Sequence, residues 1–154
     1  MILSSMPRSV PAFSTRTRWR ALVWLERAFG FRRSILVTDQ SGNLVHSEMR
    51  FADAYLIIDA EWSVDHASPA SVGGKNTQAV YLKLAHGLDE HCERARGAGA
   101  EILQEPTDQF YGERTYRARD PEGHIWTFSQ TVGRVPRETA EAVSGCKIEG
   151  WHQE

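Results

Sequence analysis

Apolar residues recur at two different spacings along this chain, and the alternation between them marks out its elements. Between Arg18 and Phe29, Ala21, Leu25 and Ala28 fall on one side of a helical wheel with Trp24 nearby. This predicts a helix that Thr17 can cap and Gly30 can end. The same spacing returns at Leu88, Cys92 and Ala95, predicting a second helix over Leu88–Ala98 that stops at Gly97 and Gly99. Elsewhere the chain falls into short runs rich in branched and aromatic residues, which predict strands at Ser9–Thr15, Ser34–Thr38, Leu44–Phe51, Tyr55–Ala60, Ala79–Leu84 and Glu101–Gln104. Two more strands flank Asp120-Pro121-Glu122-Gly123. There Asp, Pro and Gly occupy the first, second and fourth positions of a type I turn, each suited to its local backbone.

The order strand, helix, three strands occurs twice, in modules spanning 9–60 and 78–130, which points to an internal duplication. The two helices share a local register, Trp24-Leu25-Glu26-Arg27-Ala28 against His91-Cys92-Glu93-Arg94-Ala95. Between the modules, 61–77 carries Pro69 and Gly73-Gly74 among serines and alanines and reads as a linker or mobile flap. Residues 1–8 form a lead in which Met6 is an alternative start, and 131–154 form a tail. In that tail, Pro136 can open a short helix over Arg137–Val143 that Gly145 ends.

Composition narrows the function classes. At 154 residues with 41% hydrophobic and 25% charged positions, the chain suits one globular domain. A net charge of −2, with no basic stripe alternating with aromatics, gives no reason to expect nucleic acid. No apolar run is long enough for a membrane span, and the N-terminus lacks the apolar core of a signal peptide. Two widely separated cysteines make no disulfide framework, so a reducing cytoplasm is expected. No nucleophile elbow, P-loop or CxxC motif is present.

Four groups of residues carry a resemblance: Ala28-Phe29-Gly30-Phe31, Gly99-Ala100-Glu101-Ile102, Tyr111-Gly112 with Arg114, and Asp120-Pro121-Glu122-Gly123-His124-Ile125-Trp126. Together they resemble the vicinal oxygen chelate superfamily, the glyoxalase, bleomycin-resistance and extradiol-dioxygenase group. The resemblance implies an α+β fold of paired βαβββ modules forming a curved mixed-sheet cup. It also implies a divalent metal held by side chains from four cup strands. On this match the final ligand position falls at Thr127, its first-module counterpart at Ile57, and the position opening the second module at Ala79, beside Gln78. The first strand, around Pro11 to Ser14, offers no His, Glu or Asp. Threonine is a poor substitute for a carboxylate, and Ile and Ala cannot ligate, so the inherited metal site reads as dismantled.

Strand alternation then sorts the side chains. Facing the cup are Ile125, Thr127 and Ser129; Tyr55, Ile57 and Asp59; Tyr81 and Lys83; and Thr115 and Arg117. Trp126, Phe128, Tyr116 and Ala118 belong to the core. His46, Glu48 and Arg50 share one strand face and offer either polar contacts to a ligand or a relocated metal pair. His124 reads as a hairpin-end residue, and Glu90, Glu93 and Arg94 as a solvated helix face. Nothing in the sequence organises around His66, His86 or His91.

The expected function is metal-independent binding of a small, partly aromatic molecule. His46, Glu48, Tyr55, Ile57, Tyr81, Tyr111, Arg117 and Thr127 are the ligand contacts, and the chain is expected to form a homodimer. The alternatives are a glyoxalase-like lyase, isomerase or dioxygenase with one divalent metal at a rearranged site, or a module whose cup is filled by its own side chains. In the dimer, the apolar-tipped tail Ile148–Trp151 is expected to pack against the neighbouring subunit.

Overall fold

Each apolar stripe becomes the inner face of a helix and each alternating run a strand in the computed structural model of this chain, which describes residues 11–151. The lead 1–8, the alternative start at Met6 and the Ser9–Val10 portion of the first strand lie outside those residues. The order is β1 (Ala12–Thr15), α1 (Arg18–Phe29), β2 (Arg32–Thr38), β3 (Leu44–Phe51), β4 (Ala54–Ala60), then β5 (Val80–Leu84), α2 (Leu88–Gly97), β6 (Glu101–Asp108), β7 (Glu113–Arg119), β8 (Ile125–Thr131) and α3 (Arg137–Ser144). The duplication is plain in the topology. One sheet runs β1-β4-β3-β2 and the other β5-β8-β7-β6, each with its first strand parallel to its fourth and the rest antiparallel.

Several boundaries move for physical reasons. The strand expected at Glu101–Gln104 continues to Asp108 although Pro106 intervenes. β6 is an edge strand with a register shift between Gln104 and Thr107, where a missing N–H costs no ladder bond. Thr17 sits at the start of α1 but makes no side-chain cap bond; its own N–H instead meets Thr15 Oγ1 at 3.3 Å. The segment 61–77 carries a 3-10 turn at Pro69–Val72 whose Ala70 N–H donates to Glu122 O at 2.9 Å.

One core serves both modules. Phe29 of α1 stacks within 6 Å of His91, Trp126 and Phe128 from the second module, and Phe13 and Phe31 also touch Trp126. The helices cross-connect at the positions that shared a register. The Trp24 indole donates to Ala98 O at 2.9 Å, and the His91 ring bonds Phe29 O at 2.8 Å. Arg94, expected on a solvated face, instead donates to Glu26 O and Arg27 O and so neutralises the carbonyl end of α1. Gly30 makes this approach possible. Its φ is +76°, and a Cβ there would lie 2.9 Å from the Arg94 guanidinium.

His91, which nothing in the sequence organised, is a half-buried bridge. A carbonyl can only accept, so Nε2–H donates to Phe29 O, and in the neutral ring Nδ1 accepts the Tyr116 hydroxyl at 2.6 Å. The neutral ring satisfies both contacts. Burial lowers its pKa below the ordinary histidine range, only partly offset by the bond to Phe29. In the unfolded chain this histidine takes up a proton near its usual pKa of about 6.5, and the folded chain resists it. Stability is thus fully present above that pH and falls as pH drops through it toward the lower folded value. Chemical denaturation at pH 7.5 and pH 5.5 is expected to show a lower midpoint at pH 5.5. The difference should shrink in His91→Phe, and an unchanged difference would refute the role given to this ring.

Candidate functional site

Strand pairing arranges the second sheet's outer face in rows. Tyr81, Thr127 and Arg117 stand opposite one another across β5, β8 and β7, followed by Lys83, Ser129 and Thr115, then by Thr131 and Glu113. The turn between β6 and β7 brings in Tyr111. Over the later rows lies a cavity of ≈ 630 Å³ bounded by Tyr81, Lys83, Tyr111, Glu113, Ser129 and Thr131, and closed by Arg134 and Trp151 from the tail.

Glu113 is the polar centre of this cavity. Its Oε1 accepts from Lys83 Nζ at 2.9 Å and from Thr131 Oγ1 at 2.8 Å. Burial alone would push the carboxyl up, but those bonds, the lysine charge and nearby Ser129 outweigh it and hold the group ionised. Its Oε2 and the Ser129 hydroxyl are buried and have no partner beyond each other. The Tyr111 phenol is pushed up by burial, and further by Tyr81, which hydrogen-bonds it, and by Glu113, so it remains protonated.

The first sheet carries a separate polar group. His46 Nε2 and Glu48 Oε1 are 2.7 Å apart, and the Arg50 guanidinium lies over the Tyr55 ring at 5.4 Å. Ile57 pairs with Glu48, and Ile35 and Val37 flank the row, both well exposed. Glu48 is 8% exposed, screened by its immediate neighbours rather than by a thick layer of protein. Burial raises its carboxyl, but His46, Tyr55 and the Arg50 charge more than reverse this and hold it below the usual carboxylate range.

The expected contact set therefore splits. Tyr81 and Tyr111 line the cavity. Arg117 and Thr127 share the same sheet face beside it, with Arg117 Nε 3.5 Å from Thr127 Oγ1. His46, Glu48, Tyr55 and Ile57 lie on the other sheet, and none of them lines this cavity. Sequence reasoning missed the roles of Glu113, Thr131, Arg134 and Trp151. Continuing the alternation of Arg117 and Thr115 one step back would have found Glu113. Nothing in the pattern signals the two tail residues. Trp151 does not need a neighbouring subunit as its packing partner, since its indole donates to Val135 O of the same chain at 2.8 Å.

The donor set does not fit a divalent metal. Ile57 and Thr127 occupy the middle of their strands with no carboxylate between them. His46 and Glu48 spend donor atoms on each other, and among the described residues no three His, Cys, Asp or Glu side chains converge. Nor does any helix among the described residues have the length and apolarity to cross a membrane.

Two βαβββ modules with helices packed together and a pocketed outer sheet face define the fold class. The family model described as Glyoxalase/Bleomycin resistance protein/Dioxygenase superfamily matches residues 19–128, and this chain belongs to that superfamily. An uncharacterized protein of Mycobacterium bovis is 25% identical over 118 residues, covering 74% of this chain and 76% of that protein. One from Mycobacterium tuberculosis matches at the same identity, covering 74% and 68%. Among solved structures, TioX from Micromonospora sp. ML1 superposes with a TM-score of 0.65 at 28% identity, over 81% of this chain and 99% of that one. TnmS3, an antibiotic binding protein from Streptomyces sp. CB03234, does so at 0.63 and 17% identity, over 82% and 98%. At that identity the second likeness shows the fold alone.

Proposed function

We propose that this protein binds a small, partly aromatic organic molecule without metal and without altering it. The observation that carries this reading is the cavity on the second sheet, with tyrosine and tryptophan walls around a charged floor and a volume in the range of small-molecule sites. That TnmS3, a protein of the same fold, is an antibiotic binding protein agrees with it. Tyr81 and Tyr111 are the aromatic contacts, with Thr127 and Arg117 beside them. His46, Glu48, Tyr55 and Ile57 form a second polar face available to the same function. A homodimer belongs to the proposal, with the exposed Ile35 and Val37 as apolar surface for a second copy; light scattering showing a monomer would remove it. Both cysteines are free thiols, which suits a cytoplasmic location.

Native mass spectrometry of protein purified gently from its host, followed by a panel of aromatic compounds, tests the reading. Tyr81→Ala is expected to weaken binding about tenfold with little loss of stability, because the ring is 57% exposed. Equal binding by this variant would overturn the assignment of the cavity. Elemental analysis after dialysis without chelator is expected to find far less than one divalent metal per chain. Near-stoichiometric zinc, nickel, iron or manganese would defeat the metal-free reading.

A further inference from the structure

The chain after β8 lies beyond the residues that the superfamily model matches, 19–128, yet it supplies two of the eight side chains around the cavity. This segment is tied to itself. Ala140 of α3 is buried, the Ile148 N–H donates to Glu141 Oε1 at 2.8 Å, and the Trp151 indole N–H donates to Val135 O at 2.8 Å. With its polar edge spent on the backbone, Trp151 has only its ring to offer the cavity. Ring surfaces of this kind stack on other flat systems.

At the floor, the polar atoms are not all satisfied. Glu113 Oε1 already takes two bonds, whereas Oε2 and the Ser129 hydroxyl, on a residue 1% exposed, have at most each other within the chain and keep lone pairs unmet. A carboxylate oxygen is an acceptor only, so whatever fills the space above it must bring a hydrogen on nitrogen or oxygen. A cationic amine would supply one but would meet Lys83, whose ammonium sits 2.9 Å from the same carboxylate, and Arg134 at the rim. Those two cations favour an acceptor instead. A donor and an acceptor on neighbouring atoms without net charge describe an amide.

We propose that the tail 132–151 is a wall of the binding site and that the site selects a flat aromatic amide. Its ring lies against Trp151 and Tyr81, its N–H is directed to Glu113 and Ser129, and its carbonyl faces Arg134. This rests on the cavity being the binding site.

Calorimetric titration with 2-naphthamide and N,N-dimethyl-2-naphthamide separates the parts. The intact protein is expected to prefer the unsubstituted amide at least about tenfold, because the dimethyl compound leaves the buried acceptor unmet. Glu113→Gln should abolish that preference. Trp151→Ala should weaken both compounds about tenfold, and Trp151→Phe should restore most of the loss, which shows that the ring and not the fold is responsible. Equal binding of the two amides overturns the amide selection. Unchanged binding by Trp151→Ala overturns the tail as a wall, and in both cases the cavity stands as a site if Tyr81→Ala still weakens binding. Binding of neither compound at millimolar concentration overturns the amide selection, while the cavity reading falls only if Tyr81→Ala also leaves binding of the aromatic panel unchanged.

Discussion

Replacing Trp126 by alanine is expected to destabilise the fold by about 3–5 kcal/mol, the loss typical of a buried large aromatic. The indole is 1% exposed and touches Phe13, Phe29 and Phe31, all from the first module. It is therefore one of the contacts that join the two halves of the core, and the void left by alanine is bordered by rings from β1, α1 and the α1–β2 connection. Those elements cannot collapse into it together, since α1 is tied to α2 by backbone carbonyl contacts at Ala98, Phe29 and Glu26. Urea denaturation followed by circular dichroism measures the loss. A change below about 1 kcal/mol, the size of a tolerated surface substitution, would mean that the β8 register is displaced and the cup face misassigned by one residue.

Asp120→Ala is expected to cost about 3 kcal/mol, because charge-assisted hydrogen bonds are lost while their donors stay buried. The side chain of Asp120 is a hub. Oδ1 accepts from the backbone N–H groups of Glu122 and His124 at 2.9 Å each, and Oδ2 accepts from the Trp126 indole at 3.0 Å and the His124 ring at 3.1 Å. The turn it stabilises is in turn clamped from outside, by Ala70 N–H on Glu122 O and by Asn76 Nδ2 on Gly123 O at 2.9 Å. Asp120→Asn keeps the backbone contacts but cannot accept at both oxygens, so its cost should be roughly half that of alanine. Because Asp120 and Trp126 share a bond, the double alanine variant should lose less than the two single losses added. Strict additivity in denaturation would show that the bond contributes nothing.

Much of the architecture is legible in the residues because it rests on local causes. Arg18–Phe29 is helical by spacing and ends at a glycine that takes a left-handed backbone. The Asp120 turn is written in four residues. Tyr116, Ala118, Trp126 and Phe128 are buried, as alternation requires once one face of the sheet is known to meet the helices. The shared register of Trp24 and His91 also survives into the fold, as paired contacts between the two helices.

The site was readable only in part. Alternation assigns a face but not which residues on that face meet, and the eight expected contacts divide between two sheets for this reason. Tyr81 and Tyr111 come together because β5 and the β6–β7 turn converge at one end of the second sheet. His91 and Arg94 looked like idle helix residues since their partners, Tyr116, Phe29 and Glu26, are 25 to 68 positions away.

What the sequence by itself determined is the sequence of elements, their duplication and the buried face of each. All follow from residue type and spacing within a dozen positions. Only the tertiary structure decided that Glu113 and Ser129 lie under one cavity and that Trp151 closes it. Those placements depend on the pairing of β7 with β8 and on the tail folding back over the same cavity, which no short-range periodicity records.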